Sequence, residues 1–170
     1  MVEGSGGTVC LVVHPGAELY GSDRVLLESV IGLVDAGMAV TVIVPGDGPL
    51  VAELVGAGAA VGVAPLLVLR KSLRSPRGWP ALIGGGLRDV ATAWRTMTRL
   101  RPDAVYVNTV TLPVWPIVAR IRRRPVLTHV HEAERSARRV IKRLLYAPLL
   151  AARVILVNSE YSRAVIADVY

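Results

Sequence analysis

The stretch Thr8-Val9-Cys10-Leu11-Val12-Val13-His14, the loop Pro15-Gly16-Ala17-Glu18-Leu19-Tyr20-Gly21 and the segment Ser22-Asp23-Arg24-Val25-Leu26-Leu27-Glu28 decide the fold. Val9–Val13 is an uninterrupted apolar run of strand length, the pattern of a parallel strand covered on both faces. Ser22 is the expected N-cap of the helix that follows. Asp23 falls in its first turn, where a carboxylate suits the positive end of the helix dipole. Val25, Leu26, Ser29, Val30, Leu33 and Val34 then recur at helical spacing, and Ala36-Gly37 closes the helix.

The same unit repeats along the chain. Ala39–Val44 is a second buried strand, closed by Pro45-Gly46-Asp47-Gly48-Pro49, and a short helix over Leu50–Ala57 leads to a third strand at Ala60–Val63. The basic, proline-broken stretch Leu69–Trp79 reads as an exposed loop. A helix over Leu82–Leu100, weakened at Gly84-Gly85-Gly86, precedes a fourth strand at Ala104–Val107. Leu112–Ile121, with Pro113 and Pro116 inside it, is a helix of uncertain start. Pro125–Val130 is a fifth strand, Arg135–Ala151 a basic amphipathic helix, Val154–Val157 a sixth strand, and Ser159 opens a last helix. Six apolar strands alternating with helices specify an α/β protein with a doubly wound, mainly parallel Rossmann-like sheet. Ligands of such sheets bind beyond the carboxyl ends of the strands. Here those ends carry His14, Pro45, Asn108-Thr109, His131-Glu132 and Asn158-Ser159.

Composition narrows the function classes. A chain of 170 residues is one domain with a sizeable core. Mean hydropathy is high at +0.48, yet no apolar run reaches the roughly 18 residues of a membrane span. The N-terminus Met1-Val2-Glu3-Gly4-Ser5-Gly6-Gly7 lacks the basic start of a signal peptide, so the chain reads as cytoplasmic. The single Cys10 excludes an internal disulfide and a cysteine zinc site, and its place in the first strand marks a structural thiol. Charge is unevenly spread. Residues 1–65 hold one basic and seven acidic side chains, whereas residues 66–170 hold nineteen basic and six acidic. Such asymmetry points to an anionic partner, or to a generally arginine-rich composition. With 5% aromatic residues and no Phe, nothing supplies a base-stacking platform, and nucleic acid is not expected. The first loop lacks the glycine rhythm of a dinucleotide fingerprint, and no Walker loop or hydrolase elbow is present.

Four segments carry a family resemblance. Gly21-Ser22-Asp23-Arg24-Val25-Leu26-Leu27-Glu28 resembles a Gly-Gly-x-Glu-Arg loop and its Leu-rich helix, with Ser22 in place of the second glycine and Asp23 in place of the glutamate. Thr128-His129-Val130-His131-Glu132 resembles a Val-x-His-Asp/Glu strand end, and Val157-Asn158-Ser159 a Val-x-x-Ser segment. Pro45-Gly46-Asp47-Gly48-Pro49-Leu50 resembles a Pro-x-x-Gly-Pro-Leu turn. In this order and spacing they resemble the N-terminal, acceptor-side domain of a family 4 glycosyltransferase of the GT-B fold. The resemblance assigns residues 1–170 to that one domain. It implies that the C-terminal nucleotide-sugar domain is absent from the chain, and that the chain alone is inert. The intact enzyme it implies is hexosyltransferase-like. It moves a sugar, with retention, from a nucleotide sugar to a lipid-linked or other glycan acceptor, using neither metal nor cofactor.

The resemblance places His131 near the reacting sugar and Gly21 and Ser22 in the loop facing the donor. His14, Asn108, Thr109 and Glu132 are possible acceptor contacts. Asn108 and Thr109 equally read as strand terminators, and Glu132, with Glu134, as a solvated helix-start carboxylate. His129 and His131 point to one side of a strand but lack a third ligand for a metal. Arg70, Lys71, Arg74, Arg77, Arg135, Arg138, Arg139, Lys142 and Arg143 form two basic clusters. Each such residue near an anionic bilayer contributes about 1 kcal/mol, and Leu66-Leu67-Val68-Leu69 with Trp79 would add shallow apolar anchoring. The expectation is peripheral attachment at the inner face of the membrane, with a solvated helix face as the plainer reading. Two rivals rank lower: a membrane-docking subunit of a split glycosyltransferase, whose donor-binding domain acts in trans, and a generic small-molecule-binding α/β module.

Overall fold

A computed structural model describes residues 7–69, 79–131 and 139–169. Six parallel strands form one sheet in the order β3-β2-β1-β4-β5-β6. They are β1 (Val9–Val13), β2 (Ala39–Val44), β3 (Ala60–Val63), β4 (Ala104–Val107), β5 (Val126–Val130) and β6 (Val154–Val157). The helices are α1 (Gly21–Asp35), α2 (Pro49–Gly56), α3 (Trp79–Leu100), α4 (Val114–Ile121), α5 (Arg139–Tyr146) and α6 (Glu160–Ala167), with a 3-10 turn at Ala147–Ala151. The chain winds outward from β1 to one edge, returns, and winds to the other.

The period of two in β1 splits its side chains between two cores. Leu11 and Val13 pack with Val105, Val107, Met97, Trp115 and Val118 on the face covered by α3 and α4. Cys10 and Val12 pack with Leu26, Val30, Leu50 and Leu54 on the face covered by α1 and α2. Burial pushes the Cys10 thiol up to about 11, which suits an inert packing group. A third cluster, including Val130, Tyr146, Leu149 and Val165, ties α5 and α6 to β5. Trp115 is fully buried, and its indole N–H donates to Asp89 Oδ1 at 3.0 Å, joining α4 to α3.

Several elements depart from their expected bounds. Helix α1 begins two residues early, with Tyr20 rather than Ser22 at its N-cap. Ser22 lies inside its first turn, and Asp23 satisfies the terminus instead, its Oδ2 accepting from the Tyr20 amide at 2.9 Å. A carboxylate at the third helical position does this by reaching back toward the cap. The Gly84-Gly85-Gly86 run does not delay α3, which starts at Trp79. A Cβ on Gly85 would sit 3.1 Å from a Leu67 methyl, so the missing side chain lets the preceding segment pack closely. Leu66 and Val68 lie against the α3/α4 core rather than forming a free anchor. Ser159 caps α6 as expected, accepting from the Ser162 amide at 3.1 Å.

Candidate functional site

The parallel register pairs Val13 with Val107, so the next residues, His14 and Asn108, meet side by side at the C-terminal rim. β5 lies beyond β4, with Val107 opposite Thr128, and its alternation aims His129 and His131 the same way, their ring centroids 4.0 Å apart. Asp23 enters from the first turn of α1. These side chains form one connected network. His14 Nε2 lies 2.6 Å from Asp23 Oδ1, and His14 Nδ1 lies 3.0 Å from Asn108 Nδ2. Asn108 Oδ1 lies 2.8 Å from both the Tyr106 hydroxyl and His131 Nε2, and the Tyr106 hydroxyl lies 3.0 Å from His129 Nδ1.

One assignment of protons satisfies every contact. The Asp23 carboxylate accepts from His14 Nε2–H, leaving Nδ1 to accept from the Asn108 amide. The amide oxygen then accepts from Tyr106 O–H and from His131 Nε2–H. Tyr106 has spent its proton, so His129 donates from Nδ1–H. His131 is thereby held as the tautomer with a lone pair on Nδ1.

Electrostatics support neutral rings. Burial drives the His14 pKa below its ordinary value even though Asp23 pulls the other way. His131 is lowered to about 4, first by burial and then by the neighbouring His129 and His14 rings. His129 is lowered by burial alone, and the Tyr106 phenol is raised chiefly by burial. The rim therefore presents a neutral hydrogen-bonding surface, suited to hydroxyl groups. His131 opens on a cleft of about 150 Å³ that Pro15, Ser22, Val68, Asn108 and Thr109 also line. Thr109 Oγ1 contacts Thr111 Oγ1 at 2.9 Å and accepts from the Thr111 amide, so it both ends the strand and faces the cleft.

Of the expected site residues, His14, Ser22, Asn108, Thr109 and His131 come together here, and Gly21 is exposed at the start of α1 beside them. His14 is fully buried behind Asn108, so it supports the cleft rather than touching an acceptor. Glu132, Arg70, Lys71, Arg74, Arg135 and Arg138 lie outside the described residues, and Arg139 is described only as helical backbone. Lys142 is a correction. It is 8% exposed and its ammonium reaches Asp168 at 3.6 Å, so it faces α6 and not a membrane; Arg143 is exposed. Asp23 and Tyr106 join the site without having been expected there. The available signal was a carboxylate nine residues after a strand-end histidine, at a helix start that packs back on that strand. Among the described residues no group of three or more His, Cys, Asp or Glu side chains is placed to hold a metal.

The Glycosyltransferase Family 4 model matches residues 20–170. The chain belongs to this family. Solved structures of other proteins show the same fold. HepE of Anabaena, solved with UDP and glucose, superposes with a TM-score of 0.70 at 21% identity, over 94% of this chain and 40% of that one. A glycosyltransferase of Rickettsia africae gives 0.66 at 16% identity, over 94% and 38%. MurG of Acinetobacter baumannii gives 0.61 at 18% identity, over 89% and 41%. No curated protein sequence matches the chain. The family 4 chain thus spans about 40% of the length of the structures it resembles, as one Rossmann-like half of a GT-B architecture.

Proposed function

We propose that this family 4 chain forms the acceptor-side wall of a retaining, hexosyltransferase-like enzyme that moves a sugar from a nucleotide sugar to a lipid-linked or other glycan acceptor. The observation that carries the reading is the rim network, which offers a neutral His131 with a defined lone pair to a cleft sized for part of a ligand. His131 Nδ1 accepts a hydrogen bond from a hydroxyl of the reacting sugar, Ser22 and Gly21 shape the loop facing the donor, Thr109 meets the acceptor, and the buried Asn108 holds His131 in place. The donor's nucleotide binds a second domain, in the same polypeptide or in a partner chain, as the 40% coverage of HepE supports. The reading needs no metal or other cofactor, and this chain alone performs no transfer.

Attachment to a membrane is part of the proposal. No helix among the described residues is long and apolar enough to cross one. Helix α3 instead exposes Ile83, Leu87, Val90 and Trp94, one stripe at helical spacing. A stripe of this kind beside arginines suits shallow insertion at the inner, cytoplasmic face.

The test is incorporation of labelled sugar, from a panel of nucleotide sugars, into lipid-extractable and soluble glycans. The chain is assayed alone and then joined to a donor-binding domain from its host. Transfer only in the joined form, reduced about a hundredfold by His131→Ala, is expected. Transfer by the chain alone would sink the inertness claim, and no transfer from any donor by the joined form would sink the reading.

A further inference from the structure

At the opposite end of the sheet from the rim, the end of α4 and the starts of β5 and β6 enclose a cleft of about 400 Å³. Arg120, Arg123, Arg124 and Arg153 line it, together with Pro125 and Leu150. The last turn of α4 delivers Arg120, the turn after it Arg123 and Arg124, and the approach to β6 Arg153. Arg123 takes a left-handed backbone (φ 56), its amide bonding Arg120 O while the Arg124 amide bonds Ala119 O. Arg122, between them, leaves the group and lies over the Trp94 ring, 4.7 Å from its centroid.

None of the four guanidinium groups in the cleft pairs with a carboxylate among the described residues, whose ion pairs are His14–Asp23, Lys142–Asp168 and Arg163–Glu160. Asp103, at the same end of the neighbouring strand β4, spends Oδ2 on the Val9 amide. Arginine does not shed its charge, so four like charges repel around one concavity until an anion enters. Their planar forks match phosphate oxygens two at a time. The volume exceeds what a monatomic ion needs and falls in the range of small-molecule sites. Five residues of strand β5, roughly 17 Å, separate this end from His131, so an occupant here takes no part in the rim chemistry.

We propose that this arginine cleft is a second site, which binds a phosphate-bearing anion: a soluble phosphorylated molecule or the headgroup of an anionic phospholipid. Leu150, in the cleft lining, is 68% exposed, and Ile121, the last residue of α4, is 63% exposed, which suits a headgroup with its acyl chains close by.

Inorganic pyrophosphate is titrated calorimetrically into the full chain at about 0.15 M salt. Co-sedimentation is measured with phosphatidylcholine vesicles with and without phosphatidylglycerol. The cleft variant Arg124→Glu/Arg153→Glu is compared with Arg24→Glu/Arg163→Glu, an equal charge change on exposed positions of α1 and α6. Saturable binding that the cleft variant weakens about tenfold or more and the control variant leaves within about twofold is the expected result. Response to pyrophosphate without phosphatidylglycerol-dependent sedimentation identifies a soluble ligand. Such sedimentation, competed by pyrophosphate and lost in the cleft variant, identifies a lipid headgroup. Equal losses in both variants would reduce the effect to general positive charge and overturn the proposal, as would no saturable response to either probe. Circular dichroism checks folding, and Arg124→Gln/Arg153→Gln replaces the reversal if that variant does not fold.

Discussion

Asn108 is the residue on which the rim turns, because its amide oxygen serves two donors while its nitrogen serves His14. Asn108→Ala takes one hydrogen-bond partner each from His14 Nδ1 and the Tyr106 hydroxyl, and is expected to lower unfolding free energy by about 2–3 kcal/mol in denaturant titrations. Asp23→Asn tests the proton assignment. It removes the fixed acceptor at the head of the network, so the ring nitrogen signals of His131 in 15N NMR, expected to show protonated Nε2 and bare Nδ1, become a tautomer mixture. Unchanged signals would argue that His131 is set locally. The depressed His131 pKa carries a pH prediction. The unfolded chain takes up this proton near 6.5, the folded chain only near 4. The unfolded state therefore holds more protons between those values, and stability falls as pH drops from about 6.5 to about 4, with no further loss from this group below. His131 is only partly shielded from solvent, so the loss is on the order of 1–2 kcal/mol. Denaturation of wild type and His131→Gln across that range reads it: the excess loss should vanish in the variant, and superimposable profiles would refute it. At this scale the sequence showed the two histidines of β5 facing one way, because strand alternation is local. It did not show Asp23 against His14, because that contact depends on how α1 returns over β1.

Elements meet closely at two glycine-dependent places. Gly48 precedes α2, and a Cβ there would collide with the Ala17 carbonyl oxygen, which already accepts the Leu50 amide at 3.0 Å. Gly48→Ala is thus expected to cost about 2 kcal/mol or more, since backbone on both sides must move. Arg101 makes the converse case. It ends α3 with φ 47, its amide bonding Met97 O, in a region where a side chain costs about 1 kcal/mol. Arg101→Gly should raise the unfolding free energy measured in denaturant by up to about that amount. The α-helices were legible from apolar spacing, and Ser159 marked the start of α6, but the start of α1 was not legible. Ser22 has the chemistry of a cap, yet the Asp23 carboxylate, reaching back to Tyr20, decides where α1 begins. Likewise the triple glycine read as a weakening of α3. Packing against Leu67 offsets the propensity cost of about 1 kcal/mol per glycine.

For the molecule as a whole, the sheet order puts the two ends of the strands to different uses, a hydrogen-bonded polar rim at one end and an arginine-lined cleft at the other. On the proposed reading the rim is one wall of a two-domain cleft and binds little by itself. Free UDP is expected to bind the chain more weakly than about 1 mM by calorimetry, because the nucleotide belongs to the other proposed domain. Tight binding would favour a self-sufficient small-molecule module. The apolar runs and their helical spacers were enough to determine the doubly wound parallel sheet, and the four motifs were enough to determine the family, because burial on both faces and helix periodicity are written in neighbouring residues. Which polar groups meet was decided only in three dimensions. His14, Asp23, Tyr106, Asn108 and His131 come from three strands and a helix. Arg120, Arg123, Arg124 and Arg153 come from a helix end, a turn and the start of another strand. Their chemistry arises from strand register and the winding of the chain, which bring together residues that no local pattern links.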